Sequence, residues 1–396
     1  MVQFIDLKTQ YEGIQEEVEA AVLKVLRGGN YIMGPEVAEL EEALSRYVGV
    51  AHTVSCASGT DALVMALMAK GVGPGDAVFA PPFTFVATAE AAATLGAVPV
   101  FVDVDPVTFN IDPAAFERAV RAVEEADPSL HPLPRLGSDE LAKLTPKGLI
   151  AVDLFGLPAD YEALNAVAAP RGMFVIEDAA QSFGGRAGNR RAGSLAEIGC
   201  TSFFPAKPLG CYGDGGAIFS DDAEFADLLR SIRVHGQGSH KYENVRLGLT
   251  GRLDTVQAAV LLTKLRVFDA EMDARQRVAG LYERIIGESA LPVETPRIPR
   301  GYLSAWAQYS VLARDGAERE RLVARLGQAG IPTAIYYPRP LHLQPVFAPL
   351  GYREGDFPVS EALAGRIFSL PMHPYLDETT IRAIVAAMAS EGGNAR

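Results

Sequence analysis

The sequence predicts an α/β layer protein with parallel strands and a second, smaller domain. Three observations predict it. Apolar strand-like runs alternate with helical ones over the first two thirds of the chain, the signature of layered α/β architecture. Past about Ala274 the pattern changes to charged helices joined by Pro-rich connections such as Tyr337-Pro338-Arg339-Pro340. The chain also has 396 residues, 48% hydrophobic and 21% charged, more than one minimal core requires. These place a large domain over residues 1–265 and a smaller one over 266–396.

Two amphipathic helices open the chain. Ile14, Val18, Val22, Val25 and Leu26 recur at helical spacing, and Val37, Leu40, Leu44 and Tyr47 do so after Pro35, a residue suited to a first helical turn. Then follow a strand at Thr53-Val54-Ser55, a helix from Asp61 to Lys70, a strand from Ala77 to Ala80, an Ala-rich helix around Val86 to Leu95 and a strand from Val98 to Val102. The alternation resumes with a strand at Leu149–Val152, a helix near Tyr161–Ala168, and strands at Met173–Ile176 and Ala217–Phe219. The stretch from Glu124 to Lys147, rich in Pro and charge, reads as a surface excursion, and a helix is expected near Thr255–Ala274.

The formal charge of -13 argues against a nucleic-acid binder, whose affinity rests on clustered Lys and Arg. Cys56, Cys200 and Cys211 are few and lack metal-ligand spacing, so no metal is expected and a reducing cytoplasm suits them. The N-terminus lacks a basic start followed by an apolar run, and the apolar stretch from Ala77 to Val102 is broken by Pro81, Pro82, Glu90 and Pro99. Neither secretion nor membrane insertion is expected.

Three places carry chemistry. The strand leading into Glu177-Asp178 ends in acids, and ligands of open α/β sheets gather at such carboxyl ends. A carboxylate there could hold a heterocycle nitrogen protonated, although acids at strand ends also cap helices. Lys207, in Phe203-Phe204-Pro205-Ala206-Lys207-Pro208, is a lysine whose apolar neighbours could lower its pKa for imine formation; the plainer reading is a solvated loop lysine. Ser58-Gly59-Thr60-Asp61 opens a helix where free amides favour an anionic phosphate, or where Ser58 is only a cap. The spacing Gly210-x-x-Gly213-x-Gly215-Gly216 matches neither a dinucleotide nor a Walker loop.

Together these resemble the DegT/StrS family of nucleotide-sugar aminotransferases, over nearly the whole chain. The most specific matches are Glu177-Asp178-Ala179-Ala180-Gln181 and Ser202-Phe203-Phe204-Pro205-Ala206-Lys207 with Gly213-Asp214-Gly215-Gly216. The resemblance implies a fold-type I architecture like that of aspartate aminotransferase, with a central, mostly parallel mixed sheet and a smaller C-terminal α+β domain. It implies pyridoxal 5′-phosphate bound as an imine to Lys207, Asp178 on the pyridinium nitrogen and Gln181 near the ring hydroxyl. Gly59, Thr60 and Ser202 would hold the phosphate, and Phe85 would stack on the ring unless it is a plain core aromatic.

Family members form dimers with shared active sites, in which a Gly-x-Asn-x-Arg segment serves the neighbouring cofactor phosphate. Here Gly248-Leu249-Thr250-Gly251-Arg252 has threonine in that place. Arg252 could grip a carboxylate or form a structural salt bridge. The passages Phe4-Ile5-Asp6-Leu7-Lys8, Leu253-Asp254-Thr255-Val256-Gln257-Ala258-Ala259 and Ser369-Leu370-Pro371-Met372-His373-Pro374 resemble the branch that aminates C3 of UDP-2-acetamido-2-deoxy-3-keto-glucuronate. In that branch the residues matching Arg252, Tyr336 and Tyr337 line the sugar site from the partner chain, with L-glutamate as donor and 2-oxoglutarate as product. Amination of a dTDP- or GDP-linked keto sugar, and a catalytically silent protein of the same fold, are the alternatives.

Overall fold

The computed structural model describes residues 2–389. Residues 390–396, part of the stretch assigned above to the second domain, lie outside the described residues. A seven-stranded sheet runs in the order His52–Cys56, Gly216–Ser220, Ile198–Ser202, Phe174–Asp178, Thr145–Val152, Asp76–Ala80 and Val98–Phe101. Only Gly216–Ser220 runs against its neighbours, so the sheet is mixed and mostly parallel. Parallel strands need crossovers on both faces. Helix Gly59–Ala69 lies on one, with Ala62 through Leu67 all buried; helix Pro113–Glu124 lies on the other, packed through Phe116, Ala119, Val120 and Val123. Gly59–Ala69 is apolar all round because it is covered all round.

A three-stranded antiparallel sheet, Val293–Glu294, Tyr309–Ala313 and Ile367–Leu370, forms later in the chain against helices Phe268–Gly287, Gly316–Gln328 and Glu378–Ala389. Two apolar clusters weld it to the large sheet. One joins Phe83, Phe109, Val152 and Phe155 to Leu312, Leu363 and Ile367; the other joins Ala89 and Phe101 to Leu341, Phe347 and Phe357. The Asp103 carboxylate, at the end of the large sheet, accepts the Val359 and Ser360 N–H groups at 2.9 Å and so caps helix Pro358–Arg366.

Several expectations change. The helix expected over Thr255–Ala274 is two, Thr255–Leu265 and Phe268–Gly287, because Arg266 and Val267 bond back three residues, to Thr263 and Lys264, and end the four-residue ladder. The Glu124–Lys147 excursion is partly internal: His131, Leu133 and Leu144 are buried, and the His131 ring bonds the Phe101 carbonyl at 2.7 Å. Helices Pro113–Glu124 and Ala223–Ile232 were not anticipated, although Asp112 and Asp222 cap them and their apolar residues keep helical spacing. Among the described residues no helix is long and apolar enough to cross a membrane.

Candidate active site

Asp178 ends the strand Phe174–Asp178 inside the large sheet. Strand residues alternate faces, so the two acids of this pair part company. Glu177 turns to a structural task, its oxygens accepting the N–H groups of Gly193 at 2.6 Å, Leu195 at 2.7 Å and Ala196 at 3.3 Å. Asp178 accepts the Ala180 N–H at 3.1 Å and is buried. Burial pushes its carboxyl above the usual range, opposed by that N–H, by the Lys207 cation and by a hydrogen bond from Thr88. Burial pushes the Lys207 ammonium down, opposed by the Asp178 charge. Lys207 is half-buried beside Asp178, which sets it apart from a fully solvated loop lysine. Burial favours the neutral form of the lysine, the form that can attack a carbonyl, and Asp178 is a buried carboxyl placed to face a cationic ring nitrogen.

Around this pair the chain gathers five more side chains. Gln181 accepts the Phe155 N–H at 2.8 Å and donates to the Tyr337 hydroxyl at 3.4 Å. Burial, and then the Asp178 charge, push the Tyr337 hydroxyl well above its ordinary value. Phe85 lies 6.5 Å from the Tyr337 ring and is 54% exposed, which excludes the core-aromatic alternative. Beneath it Phe83 is fully buried, edge-on to Phe155 and Tyr337. Thr88, which received no role from sequence, is one helical turn from Thr84, their hydroxyls 3.4 Å apart. Its signal was the position three residues after Phe85, on the helix that starts there.

Ser58 caps helix Gly59–Ala69, its hydroxyl accepting the Asp61 N–H at 3.0 Å. The cap alternative is therefore correct for Ser58 and leaves the site reading of Gly59 and Thr60 untouched, since a helix start offers several N–H groups without intrahelical acceptors. Asp61, in that first turn, is pushed up by burial, held back by Ser58 and pushed further by Asp214. Gly59 sits so close to Ser202 that a Cβ on it would lie 2.6 Å from Ser202 Cβ. A cradle that a methyl group would fill, formed where the start of this helix meets Ser202, fits a phosphate group. Gly59→Ala should therefore weaken cofactor retention by roughly tenfold or more; equilibrium dialysis at unchanged folded content is the measurement, and undiminished affinity would discard the cradle.

Thr250 and Arg252 stand apart from Lys207, with no hydrogen bond or ion pair joining them within the described chain. The Thr250 hydroxyl lies 2.7 Å from His235 Nε2. Gly251 donates to the Arg233 carbonyl at 3.0 Å and accepts the Ala57 N–H at 3.1 Å, which ties this segment to the strand leading into the Gly59 helix. Among the described residues no carboxylate pairs with Arg252, and its Nε is buried without a partner, against the salt-bridge alternative. Tyr336 lies 6.3 Å from the Phe4 ring and 5.8 Å from Tyr337. Tyr337 thus lies beside Gln181 and near Asp178 of its own chain.

Comparison with known proteins identifies relatives along the whole chain. Residues 12–389 match the model of the DegT/DnrJ/EryC1/StrS aminotransferase family. The chain is 46% identical over 390 residues to the UDP-2-acetamido-2-deoxy-3-oxo-D-glucuronate aminotransferase of Pseudomonas aeruginosa, covering 98% of this chain and 100% of that one. It is 38% identical over 388 residues to the UDP-N-acetyl-3-dehydro-alpha-D-glucosamine 3-aminotransferase of Acidithiobacillus ferrooxidans, covering 98% and 97%. A crystal structure of a DegT DnrJ EryC1 StrS aminotransferase from Brucella abortus superposes with a TM-score of 0.90 at 49% identity, covering 98% of this chain and 99% of that one.

Proposed function

This chain belongs to the DegT/DnrJ/EryC1/StrS aminotransferase family, and from that premise we propose that it moves an amino group from L-glutamate to C3 of UDP-2-acetamido-2-deoxy-3-keto-D-glucuronate. It is an aminotransferase with the fold-type I architecture, and its cofactor is pyridoxal 5′-phosphate. The observation that carries the substrate is the 46% identity, over the full length of both chains, to a relative named for that sugar.

The residues fit the cofactor. Lys207 would bind its aldehyde carbon, Asp178 its ring nitrogen and Gln181 its ring hydroxyl; Gly59, Thr60 and Ser202 would hold its phosphate, and Phe85 would cover its face. When bound, the cofactor supplies an electron-accepting ring that lets a carbon next to the transferred nitrogen lose a proton. Lys207 Nζ does the proton work, taking the hydrogen from the glutamate α-carbon and delivering one to sugar C3. Asp178 keeps the ring nitrogen protonated throughout, which a buried carboxylate facing a cation does without further cost in solvation. Products are 2-oxoglutarate and the 3-amino sugar, so the nitrogen and the two electrons balance.

Arg252 is assigned to the C6 carboxylate, with Tyr336 and Tyr337 along the sugar. Its buried, unpartnered Nε supports this, because such a donor wants an acceptor that the chain does not provide. Thr250 would reach the cofactor phosphate of a neighbouring subunit. Exposed Tyr31, Ile32, Phe204, Tyr242 and Leu247 provide apolar area for a homodimer to cover. We place the reaction in the cytoplasm, which the three unpaired cysteines suit.

The test runs the reaction in reverse, from the 3-amino uronate UDP sugar and 2-oxoglutarate, and detects glutamate. Arg252→Ala should cut kcat/KM for the uronate at least about 30-fold more than for its C6-hydroxymethyl analogue, since losing one partner of a buried charge pair costs about 2–5 kcal/mol. Equal losses would remove the carboxylate assignment.

A further inference from the structure

Lys264 is a buried lysine, 2% exposed, and the chemistry above does not use it. It sits at the end of helix Thr255–Leu265, and its Nζ donates to the Gly210 carbonyl at 2.7 Å while lying 4.4 Å from the centre of the Tyr212 ring. Two turns earlier on the same helix, Gln257 takes both backbone groups of Tyr212. Its Oε1 accepts the Tyr212 N–H at 2.8 Å and its Nε2 donates to the Tyr212 carbonyl at 3.3 Å. One helix thus holds the descending arm of the loop that carries Lys207 by three hydrogen bonds.

That arm is short and tightly folded onto the ascending one. Lys207 N–H donates to the Phe204 carbonyl at 2.9 Å, Cys211 N–H to the Phe203 carbonyl at 2.8 Å, and Phe203 N–H to the Gly215 carbonyl at 2.7 Å. A Cβ on Gly210 would lie 2.5 Å from the Pro205 carbonyl oxygen, and one on Gly213 would lie 2.8 Å from Gln257 Nε2. With the arms locked together in this way, a shift of Gly210 or Tyr212 cannot be absorbed locally and must move Lys207, three residues from Gly210.

We infer that Lys264 and Gln257 are positioning residues for Lys207, setting where its amine stands relative to Asp178. The inference rests on the reading of Lys207 as the cofactor lysine. Burial pushes the Lys264 ammonium down to about 8, against the attraction of Glu271 and Cys211. Glu271 is itself buried, accepting both hydrogens bonds of the Gln10 amide at 3.0 and 2.9 Å and one from the Tyr375 hydroxyl. A buried cation of this kind contributes little net stability, since a hydrophobic group of similar volume often serves folding as well. A positioning role explains why a costly ammonium stands there.

Lys264→Met and Gln257→Met separate positioning from stability. Both variants should fold, yet in the cofactor-free protein the amides of residues 203–216 should exchange hydrogen at least about tenfold faster than in the wild type. With cofactor bound, the pH midpoint of the Lys207 imine absorbance should shift, and kcat should fall by about 10²-fold with KM little changed, as expected for a misplaced reacting group. Wild-type exchange and an unmoved midpoint in both variants would overturn the inference; should Lys264→Met not fold, Gln257→Met decides alone. Lys207→Ala serves as the reference. If it abolishes the imine absorbance while the methionine variants are silent, only the positioning role fails; if the absorbance survives, the Lys207 reading has failed.

Discussion

Lys207→Ala is expected to lose both the imine absorbance of the bound cofactor and essentially all turnover, a fall of about 10⁴-fold or more, because the one residue serves as cofactor anchor and as proton carrier. The structure leaves no substitute. Lys264, which is buried, spends its amine on the Gly210 carbonyl and the Tyr212 ring. Lys207→Arg should fail in the same way, since a guanidinium stays protonated at any accessible pH and can neither form the imine nor accept the proton. What makes Lys207 suitable is its pair of opposed influences: burial favours the neutral amine, while Asp178 keeps the shift from running to the extreme. Absorbance spectroscopy and single-turnover kinetics check the result, and substantial residual transamination in Lys207→Ala would move the catalytic role elsewhere.

The second large effect is expected at Asp178. Asparagine keeps the shape and keeps an oxygen to accept the Ala180 N–H, so Asp178→Asn removes the charge and leaves the turn intact. Removing one partner of a buried charge pair costs about 3–5 kcal/mol, which corresponds to a loss in kcat of roughly 10²–10⁴-fold. There is a second signature. The Asp178 charge raises the Lys207 pKa, so its removal should carry the amine further down, toward lower pH. A spectrophotometric titration reads that displacement. Near-normal kcat in Asp178→Asn would reduce the carboxylate to a helix-side acceptor for Ala180.

The comparison of sequence with structure divides by the range of the interaction. Glu177-Asp178 was legible as a strand end because the apolar run Met173–Ile176 leads into it, but that run alone could not say which acid enters the site. The backbone amides of Gly193, Leu195 and Ala196 decide that, and they are sixteen or more residues away. Likewise the strand Ile198–Ser202, made of Ile-Gly-Cys-Thr-Ser, carries too little apolar or β-branched bulk to announce itself and is a strand because Phe174–Asp178 and Gly216–Ser220 flank it. Thr88 was missed because a hydroxyl in an Ala-rich helix has no local mark of function; its partner, Asp178, is 90 residues on.

By itself the sequence determined the alternating α/β order, the positions of most core elements and the family, and it singled out Lys207 and Asp178 as the pair proposed to carry the chemistry. These are written in short-range patterns: the period of apolar residues, the punctuation by Gly and Pro, and two motifs whose residues lie close together in the chain. Only the tertiary structure decided that Gly59 must be glycine because Ser202 presses on it, that Tyr337 meets Gln181 of its own chain, that Phe85 is exposed rather than core, and that Lys264 and Gln257 grip the Lys207 loop. Each of those joins residues 45 to 156 positions apart or depends on what covers a side chain. Burial and contact across such separations are set by the packing of whole layers, which no local period of the sequence encodes.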